Sequence, residues 1–104
     1  MIIESLLTSI DASGTVNCAP MGVEWGEETI VIKPFLETVT FRNLRATGAA
    51  VVNLTDDVLL FAQAVTRHPA AVAPASVPAR VVRGVVLEIA ASWREVEVVT
   101  IDET

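Results

Sequence analysis

Residues 29–54 read TIVIKPFLETVTFRNLRATGAAVVNL, and the order of elements in that stretch decides the architecture. Thr29 to Phe35 is β-branched and apolar, as a strand requires. Thr38 and Thr40 both suit the N-cap of a helix, and Phe41, Leu44 and Arg45 keep helical spacing behind them. Gly48 stands where a glycine ends a helix by taking a left-handed conformation. Ala49 to Leu54 is short and apolar, a buried strand. A strand, a helix and a buried strand therefore follow one another with almost no loop.

Upstream, Ile2 to Ile10 reads as a strand, and Asp11-Ala12-Ser13-Gly14 as a turn in which Asp accepts local backbone bonds and Gly accepts positive φ. Thr15 to Trp25 is a second strand, interrupted in character at Pro20 and Gly22. Proline cannot donate to a ladder, so Pro20 belongs at a strand edge or bulge. Gly26-Glu27-Glu28 is a polar turn, and the first three strands form a meander. Downstream, Thr55-Asp56-Asp57 caps a helix predicted over 56–65. The stretch 67–79 reads as a proline-rich loop and Arg80 to Ser92 as a long β-branched strand. Trp93 to Ile101 alternates, with Val96 and Val98 on one face and Glu95 and Glu97 on the other. The sum is mainly β: six strands with two helices inserted around the fourth, arranged as a small closed antiparallel barrel. Closure would remove exposed edges. A ferredoxin-like sandwich is the alternative, and it expects a more regular alternation of helices with strands.

Length and composition bound the function. The chain has 104 residues and 52% hydrophobic content, with a mean hydropathy of +0.55. Area scaling buries about 65% of the unfolded surface, enough for one core and one domain spanning 1–104. The apolar excess points to surface covered by another chain, or to a piece of a longer protein. The net charge of −6 and seven scattered Lys and Arg argue against nucleic acid and against an anionic membrane surface. One Cys and one His exclude a disulfide framework and speak against structural zinc, so no metal is expected. No apolar run reaches the roughly 18 residues of a membrane span, and Met1 to Leu7 has no basic start. The cytoplasm is the expected compartment.

Few residues carry chemistry on their own. Nothing in the sequence brings Cys18 and His68 together, and they read as a half-buried small side chain and a solvated loop histidine. Asp56 and Asp57 are explained by capping. No glycine-rich nucleotide motif is present. Two other stretches offer binding groups. Lys33-Pro34-Phe35 followed by Thr38-Val39-Thr40-Phe41-Arg42-Asn43 joins a strand end to a helix start. It puts free helix amides, two hydroxyls, an amide side chain and cations where an anion such as phosphate would sit. The same residues read equally as a plain cap with a solvated Arg42. Asn17-Cys18-Ala19-Pro20-Met21-Gly22 is small and proline-broken, so its backbone is open to a flat heterocycle. It reads also as a bulged strand turning a corner.

Taken together, Asn17-Cys-Ala-Pro-Met-Gly22, Lys33-Pro-Phe35, Thr38-Val-Thr-Phe-Arg-Asn-Leu44, Gly48 and Val51-Val-Asn-Leu-Thr-Asp-Asp57 resemble the FMN-binding split-barrel (flavin reductase-like) superfamily. Within it, the resemblance is to the uncharacterised domain of unknown function 447 family. The resemblance implies a six-stranded antiparallel split barrel, shorter here than in the usual members, that binds FMN. It implies a homodimer with FMN near the subunit interface, acting as an oxidoreductase toward a small-molecule donor or acceptor. A non-enzymatic FMN carrier or sensor, or a cofactor-free dimeric interaction domain, is the alternative. Thr38, Thr40 and Asn43 would take the FMN phosphate, with Lys33 and Arg42 as lesser contributors. Asn17, Cys18, Ala19, Pro20 and Met21 would run along the isoalloxazine edge, and Asn53 and Thr55 would border the ribityl chain or ring. No residue is singled out as catalytic.

Overall fold

Asp11 organises the first turn and thereby sets the register of the first two strands. In the computed structural model, which describes residues 1–56 and 75–102, its Oδ1 accepts from the Ser13 amide at 2.9 Å, the Ser13 hydroxyl at 2.7 Å and the Thr15 amide at 2.9 Å. Gly14 takes the left-handed conformation at φ 91°. The Ser13 hydroxyl, with the backbone bonds behind it, holds the Asp11 carboxyl below its ordinary pKa. The turn joins β1 (Ile2–Ile10) to β2 (Val16–Trp25), paired antiparallel from Ile2↔Glu24 to Ile10↔Val16. β3 (Ile30–Ile32) pairs only with Val23–Trp25, so among the described residues β2 has no strand neighbour on that side at Pro20, and the missing N–H disrupts no ladder.

Helix α1 (Val39–Thr47) is bounded by the two caps its sequence announces. Thr38 is extended and its Oγ1 accepts from the Phe41 amide at 3.2 Å. Gly48 has φ 72° and returns its amide to the Leu44 carbonyl at 2.9 Å. A Cβ on Gly48 would meet nothing within 4 Å. The cost of Gly48→Ala is therefore purely conformational, about 1–2 kcal/mol, and is expected as a lowered urea midpoint with an unchanged slope.

β4 (Ala49–Leu54) follows at once, and β7 (Ser92–Glu97) pairs along it from Ala49↔Glu97 to Leu54↔Ser92. The five strands form one antiparallel sheet in the order β3-β2-β1-β4-β7. A hairpin of β5 (Ser76–Pro78) and β6 (Val85–Leu87) forms a second sheet. Register and the two-residue period place Leu7, Val23, Ala50 and Val52 on one face, where Leu44 of α1 joins them in the buried core. Leu6, Thr8, Val51 and Asn53 point to the other face, which β6 covers: Thr8 Oγ1 donates to the Val85 carbonyl at 2.6 Å, and the Leu87 amide donates to Asn53 Oδ1 at 2.9 Å. Burial on both faces explains why β4 is a nearly continuous apolar run, and why the buried Ser5, Thr8 and Ser9 of β1 each have a hydrogen-bond partner.

The architecture is mainly β, as the sequence predicts, with differences in the strands. Seven strands replace six among the described residues, and the five-stranded sheet curls as a half-barrel without closing between β3 and β7. The third strand covers only Ile30–Ile32, because the chain leaves the sheet before Pro34, which has no N–H to offer. β5 lies inside the stretch read as a loop. The run 80–92 is not one strand: bends at 80–84 lead into three-residue β6, and the Ala90 amide turns back to the Leu87 carbonyl at 3.1 Å. The final strand ends at Glu97 instead of continuing to Ile101. The helix predicted over 56–65, apart from Asp56, and His68 lie outside the described residues.

Candidate functional site

The start of α1 is built by its own loop. Both the amide and the hydroxyl of Thr38 donate to the Phe35 carbonyl, at 3.2 and 2.7 Å, and fix the turn that enters the helix. Thr38 then serves the helix twice, taking the Phe41 amide on its hydroxyl and the Arg42 amide on its carbonyl. That leaves the amides of Val39 and Thr40 with no hydrogen-bond acceptor among the described residues. The first turn of α1 carries no acidic side chain. The exposed Arg42 guanidinium lies back over the same turn, donating to the Glu37 carbonyl at 3.2 Å. Open amides, the positive end of the helix dipole and one guanidinium thus converge.

Beneath the helix lies a polar cluster. Ser9 and Asn17 face each other across β1 and β2. Asn17 Nδ2 donates to Thr40 Oγ1 at 3.1 Å, and Asn43 Nδ2 donates to Ser9 Oγ at 3.1 Å. Thr40 and Asn43, three residues apart, lie on the same side of α1, and each is only 3% exposed. These two side chains therefore tie the helix to the sheet, while Thr38, Val39 and Arg42 present its outer end.

The remaining sequence-predicted residues are divided by the sheet. Alternation sends Asn17, Ala19 and Met21 to the helix-covered face and Cys18 and Pro20 to the opposite one. Met21 packs against the core, and its carbonyl accepts from Ser5 Oγ at 2.8 Å. Asn53 is fully buried on the face away from α1. Its Nδ2 donates to the Leu6 carbonyl, Thr8 Oγ1 and the Val51 carbonyl at 2.9, 3.0 and 3.2 Å, while its Oδ1 holds the Leu87 amide. Asn53 thus spends its side chain on pinning β6 to the main sheet. Thr55 is half-buried just past β4.

Lys33 is exposed and lines a wide cleft that the sequence reading does not anticipate. The cleft, about 1140 Å³, runs between β3 and β7 and is floored by Trp25, Ile30, Ile32, Leu44, Val96 and Val98. The guanidinium carbon of Arg94 sits 5.5 Å from the centre of the Trp25 ring. Only the Val96/Val98 alternation signals this surface in sequence, because its two walls come from segments some 60 residues apart.

Glu95, on the opposite face of β7, clasps the loop before β6. Its Oε1 accepts the amides of Val81 at 2.6 Å and Val82 at 3.2 Å, and its Oε2 accepts Trp93 Nε1 at 3.3 Å. The Val81 amide, helped by Val82 and Trp93, holds this exposed carboxyl below its ordinary pKa of 4.5. A depressed folded-state pKa stabilises fully above the unfolded value, and the contribution is lost as pH falls through the lowered value. The Val81 and Val82 amide shifts are therefore expected to stay constant near neutrality and titrate together below 4.5, and to stay flat in Glu95→Gln. Among the described residues there is no group of three His, Cys, Asp or Glu suited to a metal, and no helix long and apolar enough to cross a membrane.

A curled five-stranded sheet with one capped helix in its hollow defines a half-barrel class, and a solved structure shares it. The chain superposes on the crystal structure of an FMN-bound protein from Methanosarcina mazei, assigned to DUF447, with a TM-score of 0.79 at 21% identity. The match covers 99% of this chain and 52% of the other, so the chain spans about half the length of that protein. The family model described as "Protein of unknown function (DUF447) N-terminal domain" matches residues 3–104, and the chain belongs to this family. No curated protein matches it.

Proposed function

We propose that the chain binds FMN, with the phosphate at the start of α1, and that it serves as an oxidoreductase of the flavin reductase-like type toward a small-molecule acceptor. The observation that carries this reading is the pair of unpaired amides in the first turn of α1, that of the exposed Val39 and behind it that of the nearly buried Thr40, at the helix end over which the Arg42 side chain folds to the Glu37 carbonyl. The fold shared with an FMN-bound protein supports it. The donor set suits a phosphate: two main-chain N–H groups, a helix dipole and a guanidinium, with Lys33 in the adjoining loop adding positive charge. Thr38 contributes by fixing the turn. Thr40 and Asn43 are positioning residues in this reading, since both are buried and both lock α1 onto β1 and β2.

Asn17, Ala19 and Met21, on the helix side of β2, would support the isoalloxazine edge, with Cys18 and Pro20 forming the back of that strand. Thr55 would border the ligand where β4 ends. Bound FMN supplies hydride and electron transfer. The chain's own part is to hold the phosphate, seat the ring against β2 and offer main-chain donors to negative charge on the reduced ring. A homodimer with FMN near its interface completes the proposal, and light scattering of the purified chain with FMN tests that part.

The test of cofactor binding is a titration of the purified chain with FMN, followed by flavin absorbance and fluorescence. Saturable quenching is expected, and unchanged fluorescence at high protein concentration contradicts the reading. Anaerobic addition of NADH and NADPH to the complex then separates enzyme from carrier. Bleaching of the flavin band is expected of the oxidoreductase, and a band that persists with both nucleotides favours the carrier.

A further inference from the structure

The loop joining β5 to β6 has a sequence that does not by itself explain its shape. Residues 79–84 read Ala-Arg-Val-Val-Arg-Gly. No Asn, Asp, Ser or Pro stands among them to bend the chain by local chemistry, and the one glycine comes last. Val81 and Val82 are β-branched and favour a strand. The chain nevertheless bends through residues 80–84. Within the loop a single backbone bond among the described residues runs from the Ala79 amide to the Gly84 carbonyl, at 2.9 Å. The amides of residues 80–82 therefore depend on an acceptor from elsewhere.

Glu95 is that acceptor. Its Oε1 takes the Val81 amide at 2.6 Å and the Val82 amide at 3.2 Å, and the Arg80 amide adds a weaker pull on the same carboxylate. Its Oε2 takes Trp93 Nε1 at 3.3 Å. Successive N–H groups of a turn aimed at one oxygen make an anion-binding concavity. The exposed Arg80 and Arg83 add positive charge to this loop, in a chain whose net charge is −6. Arg83 also fixes the far end of the loop, donating from Nη2 to the Ala12 carbonyl in the β1–β2 turn at 2.9 Å. The arrangement leaves Val81 81% exposed, so the conformation is decided by where the amides bind and not by burial of the apolar side chains. Asp11 shapes its own turn with the same chemistry from within. Here the carboxylate comes from 14 positions downstream of Val81.

We propose that residues 80–82 form a carboxylate-binding site, that Glu95 fills it as a built-in ligand, and that the charge of this ligand, not its tether to β7, holds the loop in shape. A small free carboxylate therefore restores the loop when Glu95 is cut back to alanine. In the unmodified chain the attached carboxylate outcompetes free ones through its high effective concentration. The site then works as a clasp that fixes the β5–β6 hairpin against β7. Glu95 pairs with Val51, on the face of the sheet away from α1, so the clasp is separate from the proposed phosphate site. This inference does not depend on FMN binding.

Amide-resolved NMR and hydrogen exchange on the unmodified chain, Glu95→Gln and Glu95→Ala test the proposal. In the unmodified chain the Val81 and Val82 amides are expected to be protected despite their surface position, and exchange at the free rate overturns the proposal. Both variants are expected to exchange these two amides at least about tenfold faster. The Leu87 amide, held by Asn53 Oδ1, is expected to keep its rate and so to report an intact fold. Glu95→Gln keeps the shape of the side chain and removes its charge, so unmodified rates in that variant overturn the proposal. Sodium formate added to Glu95→Ala is expected to return the Val81 and Val82 amide signals and the Trp93 indole signal saturably toward their unmodified positions. Sodium chloride at equal ionic strength is expected to leave them in place. No response to formate, or an equal response to both salts, overturns the carboxylate site. The unmodified and Glu95→Gln chains decide the part played by charge even where Glu95→Ala fails to fold.

Discussion

Asn53→Ala is expected to lower stability by about 3–4 kcal/mol, a large share of the roughly 5–15 kcal/mol available to a domain of this size. The side chain is completely buried and makes four hydrogen bonds to three different strands. Truncation strands the buried Leu87 amide without its acceptor, and an orphaned buried group costs about 1–3 kcal/mol by itself. It also removes the donor facing the Leu6 and Val51 carbonyls and Thr8 Oγ1, in a site too enclosed for water to replace it freely. Asn53→Asp is expected to be at least as harmful at neutral pH, because a carboxylate would point acceptors at three acceptors. Thr8→Val removes the 2.6 Å bond to Val85 from the same network. Its effect is expected to combine with that of Asn53→Ala to less than the sum of the two. Urea unfolding measures all three. A loss for Asn53→Ala below about 0.5 kcal/mol, the range of an ordinary surface substitution, would contradict the structural part assigned to this residue.

The second large effect concerns the phosphate. If α1 receives it, FMN binds about 10–100-fold more tightly than riboflavin, which has the same ring and no phosphate, because charge-assisted hydrogen bonds are worth about 1.5–3 kcal/mol. Arg42→Glu is expected to abolish that preference while leaving riboflavin affinity unchanged. Arg42 is exposed and, among the described residues, its side chain hydrogen-bonds only to the Glu37 carbonyl, so the fold tolerates the change. Thr40→Val behaves differently. It breaks the tie from Asn17 to the helix and is expected to weaken FMN and riboflavin together, along with stability. Fluorescence titrations of both flavins against the three proteins resolve these cases. Equal affinity of the unmodified chain for FMN and riboflavin would place the phosphate away from α1.

Much of this architecture is written locally. The Asp11–Gly14 turn, the Thr38 cap, the Gly48 terminus and the apolar run of β4 each depend on neighbours a few residues away, and each appears where its chemistry predicts. The two short strands of the second sheet are not legible in sequence. β5 and β6 have three residues each, too few to show a period, and β6 is fixed by Thr8 and Asn53 from far upstream. The β-branched run 80–92 therefore resembles one long strand in sequence and folds as a loop, a short strand and a turn.

The candidate site divides in the same way. The helix start is read from adjacent residues, whereas the pairings Asn17–Thr40 and Ser9–Asn43 span 23 and 34 positions and have no local signature. An Asn ending an apolar strand suits a ligand contact as well as a buried clip. Only the distant partners of Asn53 distinguish the two, and those lie on β1 and β6.

The central claim is tested most directly by an amide-resolved NMR titration of the uniformly labelled chain with FMN. The amides of Val39 and Thr40, which lack acceptors among the described residues, are predicted to move downfield and saturate with the flavin signal, and riboflavin is predicted to leave both nearly unmoved. Saturable FMN binding that shifts residues elsewhere while these two amides keep their free positions would contradict the account.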